Sequence, residues 1–412
     1  MFKKSHIFYF FPIFFLAFFI FCYLSVPDSV SLSEGSRYLI ELNPALNVSK
    51  KTVPASAQDA QSVKPTPDGI ELNAESSGKY TLGIKMFDFI PLKNIEVNIS
   101  PPYSVIPSGE SIGIKIFADG LLIINVSDVN TGAGTASPAT AAGLVPGDRI
   151  ISANSEMPAT SEELSKIVNS SEGEILLEIM RDNEKITIPI TPAVSSDDGR
   201  KKLGIWVRDS TAGVGTMTFY DPKTSTFATL GHAITDVDTG DIITPKRGTL
   251  CDCEIISVKK GTSGEPGELS GVFGEENLGD ILMNSSLGVY GRLTSPEKLD
   301  DTGYIPVATR FEVKQGEAYI LSDVDGCGVK KYSVMIDEVS KSEKVDNKGL
   351  VISVNDPVLL EKTGGIVQGM SGSPIIQNGR LVGAVTHVFV NNPTRGYGIF
   401  AENMLNSAFS LQ

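Results

Sequence analysis

The chain has 412 residues, 41% hydrophobic and 20% charged, which is typical of an ordered globular protein with two or three domains plus accessory segments. A formal net charge of −14 and the absence of a long basic stripe argue against a nucleic-acid partner. The spacing of Cys251, Cys253 and Cys327 matches no standard zinc motif. We therefore expect free or buried thiols rather than a metal site, and a fold that does not depend on disulfides.

The N-terminus indicates a membrane segment. Lys3 and Lys4 precede an apolar run from Ile7 to Val26, which is long enough to span a bilayer. Positive charges before such a run keep the N-terminus in the cytoplasm. Residues 1–28 are predicted to be a cytoplasmic tail and an uncleaved signal anchor, with a cleaved signal peptide as the alternative. Residues 29–78 lack sustained periodicity and predict a flexible tether.

Short strands are expected in residues 79–102, and a compact unit in residues 103–196. The unit opens with two apolar runs around an Asp119-Gly120 turn, which predicts a hairpin. Thr160-Ser-Glu-Glu163 then forms a capping box before a short amphipathic helix with Leu164 on its apolar face.

The segment Ser137-Pro-Ala-Thr-Ala-Ala-Gly-Leu-Val-Pro-Gly-Asp-Arg-Ile150 resembles a PDZ domain of the type found in bacterial proteases. In such domains a glycine-containing loop binds the C-terminal carboxylate of a peptide, which adds to the sheet edge. The resemblance implies that Ile112, Gly113 and Ile114 form this loop and that Leu164 lies beside the pocket. A packing module without an open groove is the alternative.

Residues 200–412 show short strands with frequent glycine, which favours a barrel or a sandwich. The turn Gly369-Met370-Ser371-Gly372 precedes an apolar strand, and an Asn378-Gly379 turn then predicts a hairpin. A serine on such a turn has an exposed hydroxyl, and glycines let two backbone N–H groups point at one spot, as an oxyanion hole requires. An ordinary polar turn is the alternative interpretation of the same residues.

Only His232 and His387 lie outside the N-terminal region. His232 follows a glycine at the end of an apolar strand, where it could take the proton of the Ser371 hydroxyl. His387 lies in the strand that leaves Ser371, where a place in the core or the pocket wall is expected.

An imidazole that acts as a base needs a partner to fix its tautomer. Asp356 precedes a proline at a strand end, 15 positions before Ser371, and this favours a held, partly buried carboxylate. Asp236, Asp238 and Asp241 are the alternatives, but so many acids around a glycine are typical of a solvated turn.

Three motifs together resemble the SpoIVB family, PDZ-containing serine peptidases of endospore-forming bacteria. They are Gly213-Val-Gly-Thr-Met-Thr-Phe-Tyr220, Leu230-Gly-His-Ala-Ile-Thr-Asp236 and Gly364-Gly-Ile-Val-Gln-Gly-Met-Ser-Gly-Ser-Pro-Ile-Ile376. The resemblance implies a mainly β protein: membrane anchor, tether, PDZ domain and a chymotrypsin-like double β-barrel peptidase domain.

For the site, the resemblance implies a catalytic triad of His232, Asp356 and Ser371. The N–H groups of Gly369 and Ser371 would form the oxyanion hole, and no metal or organic cofactor is implied.

The resemblance also implies a role in sporulation signalling. The peptidase would be anchored in the forespore inner membrane with its catalytic part in the intermembrane space. It would cut itself, which could release it, and then a membrane-bound regulator. That cut would free an intramembrane protease that processes a mother-cell sigma factor. A general envelope quality-control protease and a non-catalytic PDZ scaffold are the alternatives.

Overall fold

The computed structural model describes residues 4–43, 45–50, 61–182, 184–237, 240–299, 302–340, 342 and 344–411. The described residues are mainly β, which confirms the predicted class. The helices are α1 (Lys4–Ser25), α2 (Pro138–Ala141), α3 (Ser161–Ser170), α4 (Pro357–Thr363) and α5 (Ala401–Phe409). In these ranges no helix is both long and apolar enough to cross a membrane.

The strands fall into three regions of the chain. The N-terminal strands are β1 (Ser29–Ser33), β2 (Arg37–Glu41), β3 (Leu46–Lys50), β4 (Gln61–Thr66), β5 (Gly69–Ala74), β6 (Gly78–Met86) and β7 (Ile90–Ser100). The central strands are β8 (Ser104–Pro107), β9 (Ser111–Val126), β10 (Val129–Thr131), β11 (Gly134–Ala136), β12 (Arg149–Ala153), β13 (Ile175–Arg181), β14 (Glu184–Ile190), β15 (Ala193–Val194), β16 (Lys201–Lys202), β17 (Ile205–Asp221), β18 (Thr226–Thr229), β19 (Pro245–Lys259), β20 (Glu268–Ser285), β21 (Gly288–Leu293) and β22 (Ile305–Pro306). The C-terminal strands are β23 (Gly316–Ser322), β24 (Lys330–Val339), β25 (Leu350–Val354), β26 (Pro374–Gln377), β27 (Arg380–Phe389) and β28 (Asn392–Phe400).

The N-terminal strands form a folded unit where a tether was predicted. A four-stranded sheet in the order β1-β7-β6-β3 and a three-stranded sheet in the order β2-β5-β4 share one apolar core. Val30 and Leu32 of β1, and Ile70 and Leu72 of β5, are at most 2% exposed. Their two-residue spacing is the alternation of half-buried strands. The prediction of a flexible tether over 29–78 is therefore wrong for the described strands, while residues 51–60 lie outside the described residues.

The central strands β9, β19, β20, β21, β18 and β17 form a closed ring, because β17 also pairs with β9. We call this ring the first barrel. The predicted hairpin around Asp119-Gly120 is not formed, since β9 runs through both residues as one long strand. Its partner β17 pairs with it from Ile205↔Val126 to Thr216↔Ser111.

A small unit is built on the C-terminal end of β9 and the N-terminal end of β17. It contains β12, β13 and β14, which continue the sheet beyond β9, together with α2 and α3. Its core joins Leu121 and Ile123 of β9 to Leu164 of α3. The N-cap half of the predicted capping box is present, since the Glu163 N–H donates to Thr160 Oγ1 at 3.2 Å. The Glu163 carboxylate accepts from the Ala159 N–H at 2.7 Å in place of the Thr160 N–H. Barrel strands thus precede this unit as well as follow it, and the predicted boundaries at 103 and 196 do not separate the two.

The C-terminal strands close a second barrel in the order β23-β24-β25-β28-β27-β26. The predicted hairpin joins β26 to β27. Its turn residues Asn378 and Gly379 have φ of 52° and 73°, the left-handed values that an Asn-Gly hairpin turn requires. The nucleophile candidate lies just before β26, where this barrel meets the first.

Candidate active site

Ser371 lies on a turn that only glycine can complete. Gly369 and Gly372 both have a φ of 97°. A Cβ on Gly372 would stand 2.0 Å from the carbonyl oxygen of Thr216 and 2.7 Å from the nitrogen of Leu230. Met370 is fully buried and anchors the turn in the core of the second barrel. Sequence and packing thus both fix the backbone on either side of Ser371.

Strand β17 of the first barrel holds this turn through three hydrogen bonds. Thr216 donates its N–H to the carbonyl of Ser371 at 3.0 Å and its hydroxyl to the carbonyl of Gly369 at 2.8 Å. Thr218 donates its hydroxyl to the carbonyl of Gly372 at 2.7 Å. Both threonines are fully buried, so these bonds are shielded from competing water.

His232 reaches the same place from the end of β18. Leu230 and Gly231 have φ of 67° and 70°, so the chain reverses directly after the strand. A left-handed Leu is uncommon and costs conformational energy. A Cβ on Gly231 would lie 2.8 Å from the Thr386 methyl group. The residues before His232 therefore pack against Thr386 and Gly372, beside the nucleophile turn.

The imidazole of His232 is held in the tautomer that a general base needs. Its Nδ1 lies 2.8 Å from the carbonyl oxygen of Ala233, so Nδ1 carries the proton and Nε2 is left as the acceptor. Burial lowers the pKa of His232, and the Ala233 carbonyl opposes that shift. The ring is consequently neutral at neutral pH and able to take a proton.

The Ser371 hydroxyl donates to the carbonyl of Thr386 at 2.7 Å. Among the described residues no hydrogen bond joins it to His232. The hydroxyl is thus held by a main-chain acceptor, and loose contacts between catalytic groups are common in free enzymes. The ring of His387 lies 4.8 Å from that of His232 and forms a wall of the site. Desolvation lowers the pKa of His387, and the charges of His232 and Lys348 lower it further.

The oxyanion-hole candidates are the N–H groups of Gly369 and Ser371. In the described part of the chain neither donates a hydrogen bond to another backbone group. The carbonyls of the same two residues are both held by Thr216. The turn is thus fixed on its carbonyl side, and its two N–H groups can bind a developing oxyanion.

Asp356 does not contact His232 in this structure. Its Oδ1 caps α4 by accepting from the N–H groups of Val358 and Leu359 at 3.0 Å each, and its Oδ2 accepts from the N–H of Ser333 at 3.1 Å. Asp356 follows the C-terminal end of β25. The opposite end of β25 is the one near His232, because Asn347, just before β25, accepts a hydrogen bond from Thr386, which packs beside Gly231. A strand of this length spans roughly 17 Å. Asp356 as the triad acid therefore stays a prediction.

Ile112, Gly113 and Ile114 lie near the start of β9 and not in a peptide-binding loop. They pair with β17 on one edge and with β19 on the other, so no edge remains for a peptide. Ile112 and Ile114 are at most 1% exposed, and a Cβ on Gly113 would lie 2.6 Å from the Cys251 sulfur. The prediction is corrected: these residues belong to the core of the first barrel.

Leu164 does line a groove, but with a different strand. The groove has a volume of about 480 Å³ and runs between α3 and the segment Leu203-Gly204-Ile205 that opens β17. Gly204 has a φ of 72°, and a Cβ there would lie 2.4 Å from the carbonyl oxygen of Ser127. A glycine-containing loop before an edge strand is thus present, about 90 residues later than predicted.

Thr216 and Thr218 are the functional residues that the sequence analysis missed. Both lie in the motif Gly213–Tyr220, which contributed only to the family resemblance. Threonines at alternate positions of a buried strand are a usable signal, because buried hydroxyls require partners.

We predict that Thr216→Val slows the reaction of Ser371 with a fluorophosphonate. Valine keeps the shape of threonine but leaves the Gly369 carbonyl without its donor, which loosens the oxyanion hole. The loss should be about tenfold, equivalent to about 1.4 kcal/mol, the scale of one hydrogen bond. Thr216→Ser retains the hydroxyl and should react nearly normally; equal rates for the two variants would contradict this role.

The lowered pKa of His232 predicts the acidic limb of the pH–rate profile. Only neutral His232 accepts a proton, so the rate falls when pH drops through its pKa. Because burial lowers that pKa below the usual 6.5, the midpoint should lie below pH 6.5. The measurement is the second-order rate of fluorophosphonate labelling against pH. A midpoint above 6.5 would mean that His232 is not the base or is not desolvated.

The comparison with solved structures finds partial similarity only. Two solved structures are similar in part: the Rv3671c protease from M. tuberculosis in its active form, with 15% identity over 48% of this chain and 74% of that chain at a TM-score of 0.28, and its inactive form, with 15% identity over 48% and 83% at 0.27. No match was found among curated proteins.

The family comparison covers more of the chain. The SpoIVB peptidase S55 family matches residues 199–405, just over half of the 412 residues, including His232, Asp356 and Ser371. The serine turn, the histidine beside it and this match lead to one conclusion: the chain belongs to the SpoIVB peptidase S55 family of serine peptidases.

Proposed function

We propose that the protein is a membrane-anchored serine endopeptidase of sporulation signalling, with Ser371 as its nucleophile and His232 as its base. One observation carries the catalytic part of this proposal. The second barrel supplies a serine on a glycine turn, and the first barrel supplies a neutral histidine that packs beside it with Nε2 as the acceptor.

The proposed reaction follows from these positions. Ser371 Oγ forms a bond to the carbonyl carbon of the substrate while His232 Nε2 takes the hydroxyl proton. The N–H groups of Gly369 and Ser371 stabilise the negative charge on the carbonyl oxygen. His232 then gives its proton to the leaving amine as the peptide bond breaks, and water hydrolyses the acyl-enzyme by the same route.

A third group has to stabilise the protonated imidazole. The family resemblance supports Asp356 for this role, whereas the contact of Ala233 with His232 Nδ1 fixes the tautomer without a carboxylate. Within the proposal, Asp356 remains the assigned acid, and substitutions of Asp356 discriminate between these two roles.

The proposed substrates are the protein itself and a membrane-bound regulator of an intramembrane protease. The family is named after SpoIVB, a sporulation protein, and this name supports the signalling role. The groove between α3 and Leu203-Gly204-Ile205 has the form of a PDZ peptide site, which supports docking of a protein C-terminus next to the catalytic unit.

The proposed location is the forespore inner membrane, with the catalytic part facing the intermembrane space. Its support is the basic pair Lys3-Lys4 ahead of the apolar run Ile7 to Val26. Self-cleavage between about residues 27 and 80 would release the peptidase. Because most of that segment is folded into β-strands, a cut there needs local unfolding or a site within residues 51–60, which lie outside the described residues.

Ser371→Ala should abolish self-cleavage and fluorophosphonate labelling while thermal unfolding stays unchanged. The matched control is Ser373→Ala, two residues along the same turn, where the hydroxyl is fully buried and has no hydrogen-bond partner among the described residues. Intact-mass analysis of the labelled protein gives the readout. If Ser371→Ala still labels, the nucleophile has been misassigned. If the unmodified protein does not label at all, the protein acts as a scaffold.

Two variants of Asp356 separate catalysis from helix capping. Asparagine is as good an N-cap as aspartate, whereas alanine costs about 1 kcal/mol. Asp356→Asn should thus keep the fold and, if Asp356 orients His232, lose about ten-thousandfold in rate, the value for a wrong-tautomer triad. An active Asp356→Asn beside a destabilised but active Asp356→Ala would leave Asp356 as a structural cap only.

A further inference from the structure

The segment that follows His232 is clamped at two points. Residues 233–244 connect the histidine to β19. Asn284 of β20 accepts from the Ile234 N–H at 2.9 Å and donates to the carbonyls of Ile234 and Ile243 at 2.7 and 2.8 Å. These bonds fix both ends of the segment, but not its middle.

The middle of the segment is held by Asp236. This residue is 6% exposed, so the expectation of a solvated carboxylate is wrong for it. Its Oδ2 lies 3.0 Å from Arg208 Nη1. Inside the segment, the N–H of Asp236 donates to the Asp241 carbonyl and the carbonyl of Asp236 accepts from Gly240. A buried carboxylate paired with a guanidinium is strongly localised, since each charge is costly to bury alone.

The partner Arg208 lies on β17 at a register shift between the small unit and the first barrel. Trp206 and Val207, just before it, line the groove beside α3. Asp209, just after it, accepts from the Ser161 N–H at the start of α3 at 3.1 Å. The same point of β17 therefore contacts both the groove helix and the His232 segment.

We infer that Asp236 is a positioning residue for His232, holding the segment behind the imidazole through its ion pair with Arg208. Asp236 lies four positions after His232, and the residues between them include Ala233, whose carbonyl orients Nδ1. Displacement of this segment would move the carbonyl and the ring together. The inference rests on the proposed peptidase function, and it gives Asp236 no direct contact with substrate.

The test measures the maximal inactivation rate and the half-saturating concentration of a fluorophosphonate on the full chain. Asp236→Asn removes the charge with little change in shape. It should lower the maximal rate roughly 10- to 100-fold, as a displacement of about 1 Å at a reacting group does, with an unchanged half-saturating concentration. Asp236→Glu should recover part of the rate, and the exchanged pair Arg208→Asp with Asp236→Arg should react faster than either single variant.

The matched control is Asp148→Asn. Asp148 is fully buried and pairs with Arg181 at 2.6 Å inside the small unit, so it has the same chemistry. No hydrogen bond or ion pair joins it to the described residues of the His232 segment. It should lower thermal stability as Asp236→Asn does, yet leave the maximal rate unchanged. A normal rate for Asp236→Asn, or an equal loss for Asp148→Asn, would overturn the inference. Labelling that persists in Ser371→Ala would instead refute the proposed function.

Discussion

The hydrogen bonds from β17 to the nucleophile turn are the constraint on which the site depends. One barrel supplies Ser371 and the other supplies His232, so the proposed reaction needs a fixed seam between them. Thr216 and Thr218 provide that seam through buried hydroxyls, and a buried hydroxyl without an acceptor carries a cost of about 1–3 kcal/mol. Slippage of the barrels would leave several such groups unpaired at once. One arrangement of Ser371 and His232 is therefore strongly preferred.

Strand β17 also explains why the small unit and the catalytic unit are joined as they are. Its first residues line the groove, Arg208 follows them directly, and its last third holds the serine turn. The small unit is an excursion from the first barrel between β9 and β17, rather than a separate domain on a linker. The groove and the serine turn consequently contact the same strand.

The sequence predicted the parts of the site that depend on local chemistry. Ser371 on its glycine turn, the Asn378-Gly379 hairpin and the Thr160 cap of α3 each depend on residues a few positions apart. The path of β9 could not be predicted in the same way, because its partner strand β17 lies about 100 residues further along. An Asp-Gly pair in a long bent strand and one in a hairpin have the same local sequence. The strands of residues 29–78 were missed for a related reason, since Val30 and Leu32 become recognisable as core only when β7 pairs beside them.

Asp356 shows a different limit of prediction from sequence, because an aspartate before a proline suits two roles equally well. It is a favoured N-cap with proline at the first helical position, and it is also a plausible held carboxylate. In the resting structure it fills the first role, and a catalytic contact would require both loss of the cap and movement past the length of β25. The carbonyl of Ala233 requires no such movement, but a neutral carbonyl stabilises an imidazolium less than a carboxylate does. A peptidase in which the stronger partner stands apart from the histidine would be slow, and a slow rate is compatible with the proposed cut of a single regulator.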